Sequence, residues 1–177
     1  MAAQPSPEPT PSRPYMPGYG VVGPSQGSGL LPWSWAEERL ASSHDYWLTT
    51  TWPDGRPHVM PVWGMWHESC VWFSSSGRSR KTLNLERDPR CTVATDKASE
   101  PVIVEGVAEV VKDLVVLATV LDLENRKYNT SYTMEMLDPA TSACFRIRPL
   151  WAFGLSGDDF TGSPTRWVFG TELTGRR

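Results

Sequence analysis

Short strand-like segments, separated by turns and a few helices, are the feature that most limits the possible folds of this chain. Residues 53–55, Pro-Asp-Gly, form a strong turn signal between the first two segments. Ser34 and Glu37 predict a capping box at the first helix. The predicted strands are 45–52, 56–66, 70–75, 90–96, 101–111, 143–155 and 165–169, and the predicted helices are 34–42, 78–87, 113–128 and 132–137. This order predicts a mainly β protein of the α+β class, built as an antiparallel barrel.

The segment 56–66 is apolar at both alternating sets of positions, which is unusual for a strand in an antiparallel sheet. One set holds Met60, Val62 and Trp66, and the other holds Val59, Trp63 and Met65. A strand that is apolar on both faces needs the core on one side and a partner subunit or ligand on the other. Pro61 has no N–H to donate, so we expect an edge strand or a bulge there.

Residues 1–32 differ in composition from the rest of the chain. They contain 8 of the 16 prolines and only two charged residues, Glu8 and Arg13. Such a segment buries too little apolar surface to offset its ordering entropy, so we expect a disordered tail that can be deleted without loss of the fold. The alternative is that it wraps a partner subunit. Residues 33–177 then form the folded domain.

Composition argues against several functional classes. The net charge of −3 offers no basic field for nucleic acid. No apolar run approaches the ~20 residues that span a bilayer, and no signal-peptide pattern occurs, so a cytoplasmic protein is expected. The cysteines form no CxxC pair and the histidines no metal-binding spacing; the residues are Cys70, Cys91, Cys144, His44, His58 and His67.

The segment 72–85 carries the clearest chemical signal. A strand ends in serines, Gly77 allows a turn, and a helix opens with Arg78, Ser79, Arg80 and Lys81. Cations in the first turn of a helix lie at the positive end of its dipole, where each costs a few tenths of a kcal/mol. A bound anion reverses that sign, because free N–H groups, hydroxyls and cations together bind phosphate. The alternative is a solvated, charged helix start.

This pattern, with five other segments, resembles the pyridoxamine 5′-phosphate oxidase-like split β-barrel superfamily of flavin- and deazaflavin-binding proteins. The matching segments are 47–58, 61–66, 73–75, 79–85, 88–90, 104–108 and 165–167. The resemblance runs from about residue 36 to residue 169 and omits the N-terminal region. It implies an antiparallel split barrel of the FMN-binding type. It also implies a homodimer with two cofactor sites at the subunit interface.

The resemblance further implies roles for individual residues. The positions that match the phosphate-binding residues are Ser74, Ser75, Ser79, Arg80 and Lys81. Those that match the strand along the ring system are Met60, Pro61, Val62 and Trp63. Arg166 and Trp167 match a C-terminal segment that reaches the site. Asn84 matches the asparagine of a Ser-x-Lys-x-x-Asn-Leu pattern common in the branch that binds the deazaflavin F420, whereas Ser79-Arg80-Lys81 also resembles the FMN-binding branch.

Each of these residues also has a purely structural interpretation. Trp63 can pack in the core, Trp167 can anchor an interface, Asn84 can bond within its helix, and Arg166 can be a surface residue. His58 and His67 are interpreted as structural.

No nucleophile–base pair or carboxylate pair stands out, which is typical of an enzyme whose cofactor carries the chemistry. The leading hypothesis is a reductase that uses reduced F420 to transfer hydride to a small apolar molecule. The alternatives are an FMN-dependent enzyme and a non-catalytic carrier of flavin, deazaflavin or haem.

Overall fold

The computed structural model of the protein describes residues 8–170, which contain nine strands, three α-helices and two short 3₁₀ turns. The strands are β1 Thr10–Ser12, β2 Asp45–Thr51, β3 Pro57–Trp63, β4 Met65–His67, β5 Cys70–Ser76, β6 Arg90–Thr95, β7 Val102–Val111, β8 Ser142–Gly154 and β9 Thr165–Val168. The helices are α1 Trp33–Ser42, α2 Arg80–Arg87 and α3 Leu114–Tyr128, and the 3₁₀ turns are Met134–Leu137 and Gly157–Asp159.

The strands form one antiparallel sheet in the order β1-β9-β8-β7-β6-β2-β3. Strand β5 pairs with the first half of β8, on the same edge that β9 takes in the second half, and β4 lies beside β5. The predicted class, a mainly β antiparallel fold with short helices, is confirmed. Strand β3 pairs with β2 alone among the described strands, so the edge position predicted from Pro61 is also confirmed.

The predicted strand 56–66 is in fact two strands that separate at Gly64. A Cβ atom at Gly64 would lie 2.7 Å from the carbonyl oxygen of Trp72 and 3.2 Å from the Tyr46 ring. Only glycine permits this close approach, and the chain changes its pairing partner there, from β2 to β5.

The interior of the sheet holds the main core, and α3 covers a second one. Tyr46, Phe73, Phe145 and Trp167 are among the fully buried side chains of the main core. On the other side of β4, β5 and β8, α3 packs Leu117, Val120 and Leu121 against Trp72 and Cys144. The β5–β8 part of the sheet is therefore covered on both faces. Burial raises the pKa of Cys91 and of Cys144 to about 12, as expected of inert thiols.

Helix α1 begins differently from the prediction. Its first residue is Trp33, its N-cap is Pro32, and no side chain caps it. The capping box predicted from Ser34 and Glu37 is therefore wrong. The start of the helix is set instead by Trp33, whose buried ring packs edge-on against Trp167 and Trp66.

The prediction of a disordered tail is wrong for residues 8–32, whereas residues 1–7 lie outside the described part. Strand β1 pairs with β9, with Pro11 opposite Trp167. The Arg13 guanidinium donates to the carbonyls of Gly162 at 2.6 Å and Pro164 at 2.7 Å. Leu31 is buried in the core. Strand pairing and the hydrogen bonds of the Arg13 guanidinium hold this segment in place, and composition alone does not predict either contact.

Candidate cofactor-binding site

The start of α2 is organised by hydroxyl groups. Ser79 is the N-cap: its Oγ accepts from the Thr82 N–H at 3.3 Å and lies 3.0 Å from Ser75 Oγ. Thr82 Oγ1 in turn donates to the carbonyl of Ser76 at 2.9 Å. These bonds fix the turn between β5 and α2, so the hydroxyls of Ser75 and Ser79 are brought together.

The cations of this turn separate from one another. Arg78 is exposed, and Arg80 places its guanidinium 4.1 Å from the centroid of the Trp52 ring. Arg56 lies over the same ring at 4.8 Å. Lys81 is half-buried, and this desolvation lowers the pKa of its ammonium group. No acidic residue stands in the first turn of α2.

Ser74 is not beside Ser75 in this arrangement, because alternate residues of a strand face opposite sides. Ser74 lies opposite Cys144 in the register of β5 and β8, on the side that α3 covers. On that side it neighbours the buried carboxyl of Glu124. Burial raises the pKa of Glu124, and the neighbouring Ser74 hydroxyl partly offsets this effect.

The four predicted residues of β3 divide between the two faces of the sheet. Val62 lies opposite Tyr46 and is buried, and Met60, opposite Leu48, is 42 % exposed near the sheet edge. Pro61 and Trp63 face outward, and Trp63 is 44 % exposed.

The exposed ring of Trp63 is nevertheless held in place. It stacks on Tyr128 of α3 with ring centroids 4.4 Å apart and planes 5° apart. The Tyr128 hydroxyl donates to the carbonyl of His44 at 2.5 Å and accepts from the Gly64 N–H at 2.8 Å. Lys127 binds the Gly64 carbonyl at 2.6 Å, and burial lowers the pKa of this lysine to about 8. Trp63 is therefore a flat, apolar and fixed wall at the edge of β3.

Asn84 is buried inside the fold and does not face solvent. It is 1 % exposed, and its Nδ2 donates to Thr50 Oγ1 on β2 at 3.0 Å. Thr50 Oγ1 is also 3.4 Å from Nδ1 of His58 on β3. Asn84 thus links α2 to β2 and, through Thr50, to β3, the last two strands at one end of the sheet.

Arg166 and Trp167 are placed apart from the other predicted residues. Trp167 is fully buried in the core beside Trp33, and its Nε1 has no hydrogen-bond partner among the described residues. Arg166 points the other way and lies 5.4 Å from the Trp151 ring centroid. In a single chain, the contacts of Trp167 are those of a core residue.

Sequence reasoning missed Thr50, Trp52, His58 and Tyr128. Thr50 and His58 carry a signal that could have been used, since both lie on one face of a hairpin set by the turn at 53–55. Tyr128 has no such signal, because 65 positions separate it from Trp63 along the chain.

The donors around the start of α2 fit a phosphate group. Ser75 and Ser79 supply hydroxyls and Lys81 supplies a desolvated ammonium, which are the donor types that phosphate oxygens accept from. The fixed, half-exposed ring of Trp63 suits a flat ring system.

A family model described as pyridoxamine 5′-phosphate oxidase matches residues 36–155, well over half of the chain. The chain belongs to the pyridoxamine 5′-phosphate oxidase family. Proteins of this family bind flavins or deazaflavins and include oxidoreductases. A search of curated proteins finds no match.

Solved structures share the fold of this family member. A structure named F420 reductase is 24 % identical, with a TM-score of 0.53, covering 64 % of this chain and 91 % of its own. A conserved hypothetical protein from Mycobacterium tuberculosis is 23 % identical, with a TM-score of 0.59 and coverage of 88 % and 95 %. The General Stress Protein 26 from Bacillus anthracis is 15 % identical, with a TM-score of 0.57 and coverage of 68 % and 91 %. At these identities the likeness shows the fold alone.

Within residues 8–170, every helix is too short or too polar to cross a bilayer.

Proposed function

We propose that this family member is a reductase that uses reduced F420 to transfer hydride to a small apolar organic molecule. The observation that carries the proposal is the separation of cations at α2. Lys81 follows Ser79 by two residues and is half-buried. The guanidinium of Arg80, by contrast, lies over the Trp52 ring, as does that of Arg56. One group of donors suits the phosphate that F420 and FMN share. The other suits the acidic oligoglutamate extension that only F420 has.

The chain's own residues bind, orient and exclude water. Lys81, Ser75 and Ser79 would hold the phosphate, and Trp63, fixed by Tyr128, would offer an apolar surface to the ring system. The bound deazaflavin supplies the hydride. An apolar wall of this kind favours a flat or apolar acceptor and keeps water away from the transfer.

The test is to measure the dissociation constants of F420 and FMN at low and high salt. We expect F420 to bind more tightly, with an advantage that shrinks as salt rises, because exposed charge pairs are screened within about 10 Å at 0.1 M ionic strength. Arg80→Gln should reduce this advantage. Arg126→Gln, on the exposed side of α3 where Arg126 pairs with Asp122, is the matched control. If FMN binds at least as tightly at low salt, the FMN-dependent enzyme replaces this proposal.

A carrier is distinguished by turnover. An enzyme oxidises reduced F420 faster in the presence of a suitable acceptor than buffer does, whereas a carrier binds the cofactor and leaves that rate unchanged.

We also propose a homodimer that forms through the outward face of β2 and β3. Trp47 is 48 % exposed and Val59 50 % exposed on this face, beside Trp63. Apolar side chains gathered on one sheet face favour a partner surface. Sedimentation should show a dimer at micromolar concentration and a monomer for Val59→Asp. A wild-type monomer that still binds F420 would refute the dimer.

A further inference from the structure

We infer that the two exposed edges of the sheet, β3 and β1, are closed to a further β-strand by prolines, so that a second copy of the chain can add only to the outward face. The inference rests on the proposed homodimer for the identity of the partner. It is independent of the cofactor.

Strand β3 forms the first exposed edge. In an antiparallel pair, alternate residues direct their backbone N–H and C=O groups to the neighbouring strand, and the residues between them direct theirs away. Pro57 and Pro61 both lie in register with β2, yet neither has an N–H to donate. The hydrogen bonds to β2 are therefore made by the residues between the prolines. The set that faces away from β2 is Pro57, Val59, Pro61 and Trp63.

Half of the outward positions of β3 thus lack a donor. Residues Pro57, Val59 and Pro61 are exposed, so this edge lies at the surface of the chain. A strand that paired here would leave its own carbonyl groups opposite the two prolines without a partner, which costs free energy. Prolines at such positions are a known way to protect an edge strand.

Strand β1 closes the opposite edge in the same way. It covers the side of β9 that β8 leaves free. Pro11 lies opposite Trp167 and cannot donate, so Thr10 and Ser12 make the hydrogen bonds to β9. Pro11 is then the one residue of this three-residue strand that faces outward, and it offers no N–H.

The third free strand, β4, is covered by helices instead. Trp66 packs edge-on against Trp33 of α1 with ring centroids 6.0 Å apart, and Met65 is buried in the core under α3. Within residues 8–170, each terminal strand of the sheet is therefore blocked by a proline or covered by a helix.

The outward face remains for a partner. The register of β2, β6, β7 and β8 places one apolar row on this face, and its members are Trp47, Ala94, Ile103 and Phe153. All four are at least partly exposed. The residues that follow or precede them point into the core and are buried. Apolar rows of this kind suit a second sheet face better than an added strand.

Hydrogen exchange of the full wild-type chain tests which backbone groups face outward. The Met60 N–H bonds to β2 and should exchange slowly, whereas the Val59 N–H faces outward and should exchange nearly as fast as in an unfolded chain. A Val59 amide protected as strongly as that of Met60 would show that the edge is already covered, and would overturn the inference.

Restoring the donors tests the closure of β3. The double variant Pro57→Thr/Pro61→Thr adds two N–H groups to the outward edge. Sedimentation across the micromolar range should show species larger than those of the wild type, with self-association stronger by roughly tenfold or more, the scale of two added hydrogen bonds. Val59→Thr, on the same strand and face, adds no N–H and should form no larger species.

Each single proline variant should show a smaller increase, and these variants replace the double variant if circular dichroism shows that it does not fold. Sedimentation of the proline variants that equals that of Val59→Thr would refute the closure of β3.

Pro11→Thr tests β1. It adds one donor, so its self-association should rise less than that of the double variant, whereas Thr10→Val adds none and should sediment like the wild type. Equal sedimentation of Pro11→Thr and Thr10→Val would refute the closure of β1. A wild-type monomer would refute the proposed homodimer, while the proline variants would still decide whether the edges are closed.

Discussion

Helices α2 and α3 both begin with a side-chain cap, but their charges are arranged in opposite ways. Ser79 caps α2, and Asp113 caps α3 by accepting from the N–H groups of Val115 and Val116. The cations Arg126 and Lys127 of α3 lie in its last turn, where the helix dipole favours them. Those of α2 include Arg80 and Lys81 in its first turn, where the dipole opposes them.

The difference supports the proposal that α2 binds an anion, whereas most of α3 serves stability. The apolar side of α3 is buried against β4, β5 and β8, and its ends are satisfied. Helix α2 keeps an electrostatic cost that a bound anion would remove. Each of the following predictions tests this division.

The largest effect should come from the buried face of α3. Leu117→Ala should lower the free energy of unfolding by about 2–5 kcal/mol, since it leaves a cavity in a packed core. Leu83→Ala on the exposed side of α2 should cost much less. Urea denaturation measures both values, and equal losses would remove the distinction between the helices.

Lys81→Ala should weaken F420 binding by roughly 1.5–3 kcal/mol, the scale of a hydrogen bond to a charged group. Without cofactor, the same variant should be as stable as the wild type or slightly more stable, because it removes a cation from the positive end of the dipole. Lys112→Ala, just before α3, is the control. Calorimetry that finds an unchanged dissociation constant for Lys81→Ala would place the phosphate elsewhere.

The two caps should respond differently. Asp113→Ala should cost about 1 kcal/mol of stability and leave cofactor affinity unchanged. Ser79→Ala should cost a similar amount of stability. It should also weaken cofactor binding, because the Ser79 hydroxyl pairs with that of Ser75 in the proposed phosphate site. Loss of affinity in Asp113→Ala would show that α3 contributes to the site more directly than its contacts indicate.

The smallest effect concerns Lys127, at the end of α3. Burial lowers its pKa from 10.5 to about 8, so between these values the unfolded chain binds more protons than the folded one. Stability due to this residue therefore rises with pH from about 8 to 10.5 and is flat below that range. The half-exposed group is screened, so we expect less than about 1 kcal/mol. The free energy of unfolding of the wild type minus that of Lys127→Met, measured as a function of pH, should show this rise. A difference that does not change with pH would contradict it.

Local signals in the sequence predicted much of the fold. The turn at 53–55, the edge position of Pro61 and most strand positions depend on neighbouring residues, and the structure contains all of them. The start of α1 and the state of residues 8–32 were predicted wrongly. The first depends on Trp33 packing against Trp167, and the second on Arg13 bonds to carbonyls about 150 positions away.

By itself, the sequence determined the antiparallel β class, the family pattern and the unusual cations after Gly77, because each is written in residues close together along the chain. Only the tertiary structure decided that Ser74 turns to Glu124, that Arg80 stacks on Trp52, and that Trp167 is buried. It also decided that Asn84 reaches Thr50 across 34 positions. The physical reason is that a side chain's partner depends on which distant segments pack beside it, and residue type and spacing do not specify that packing.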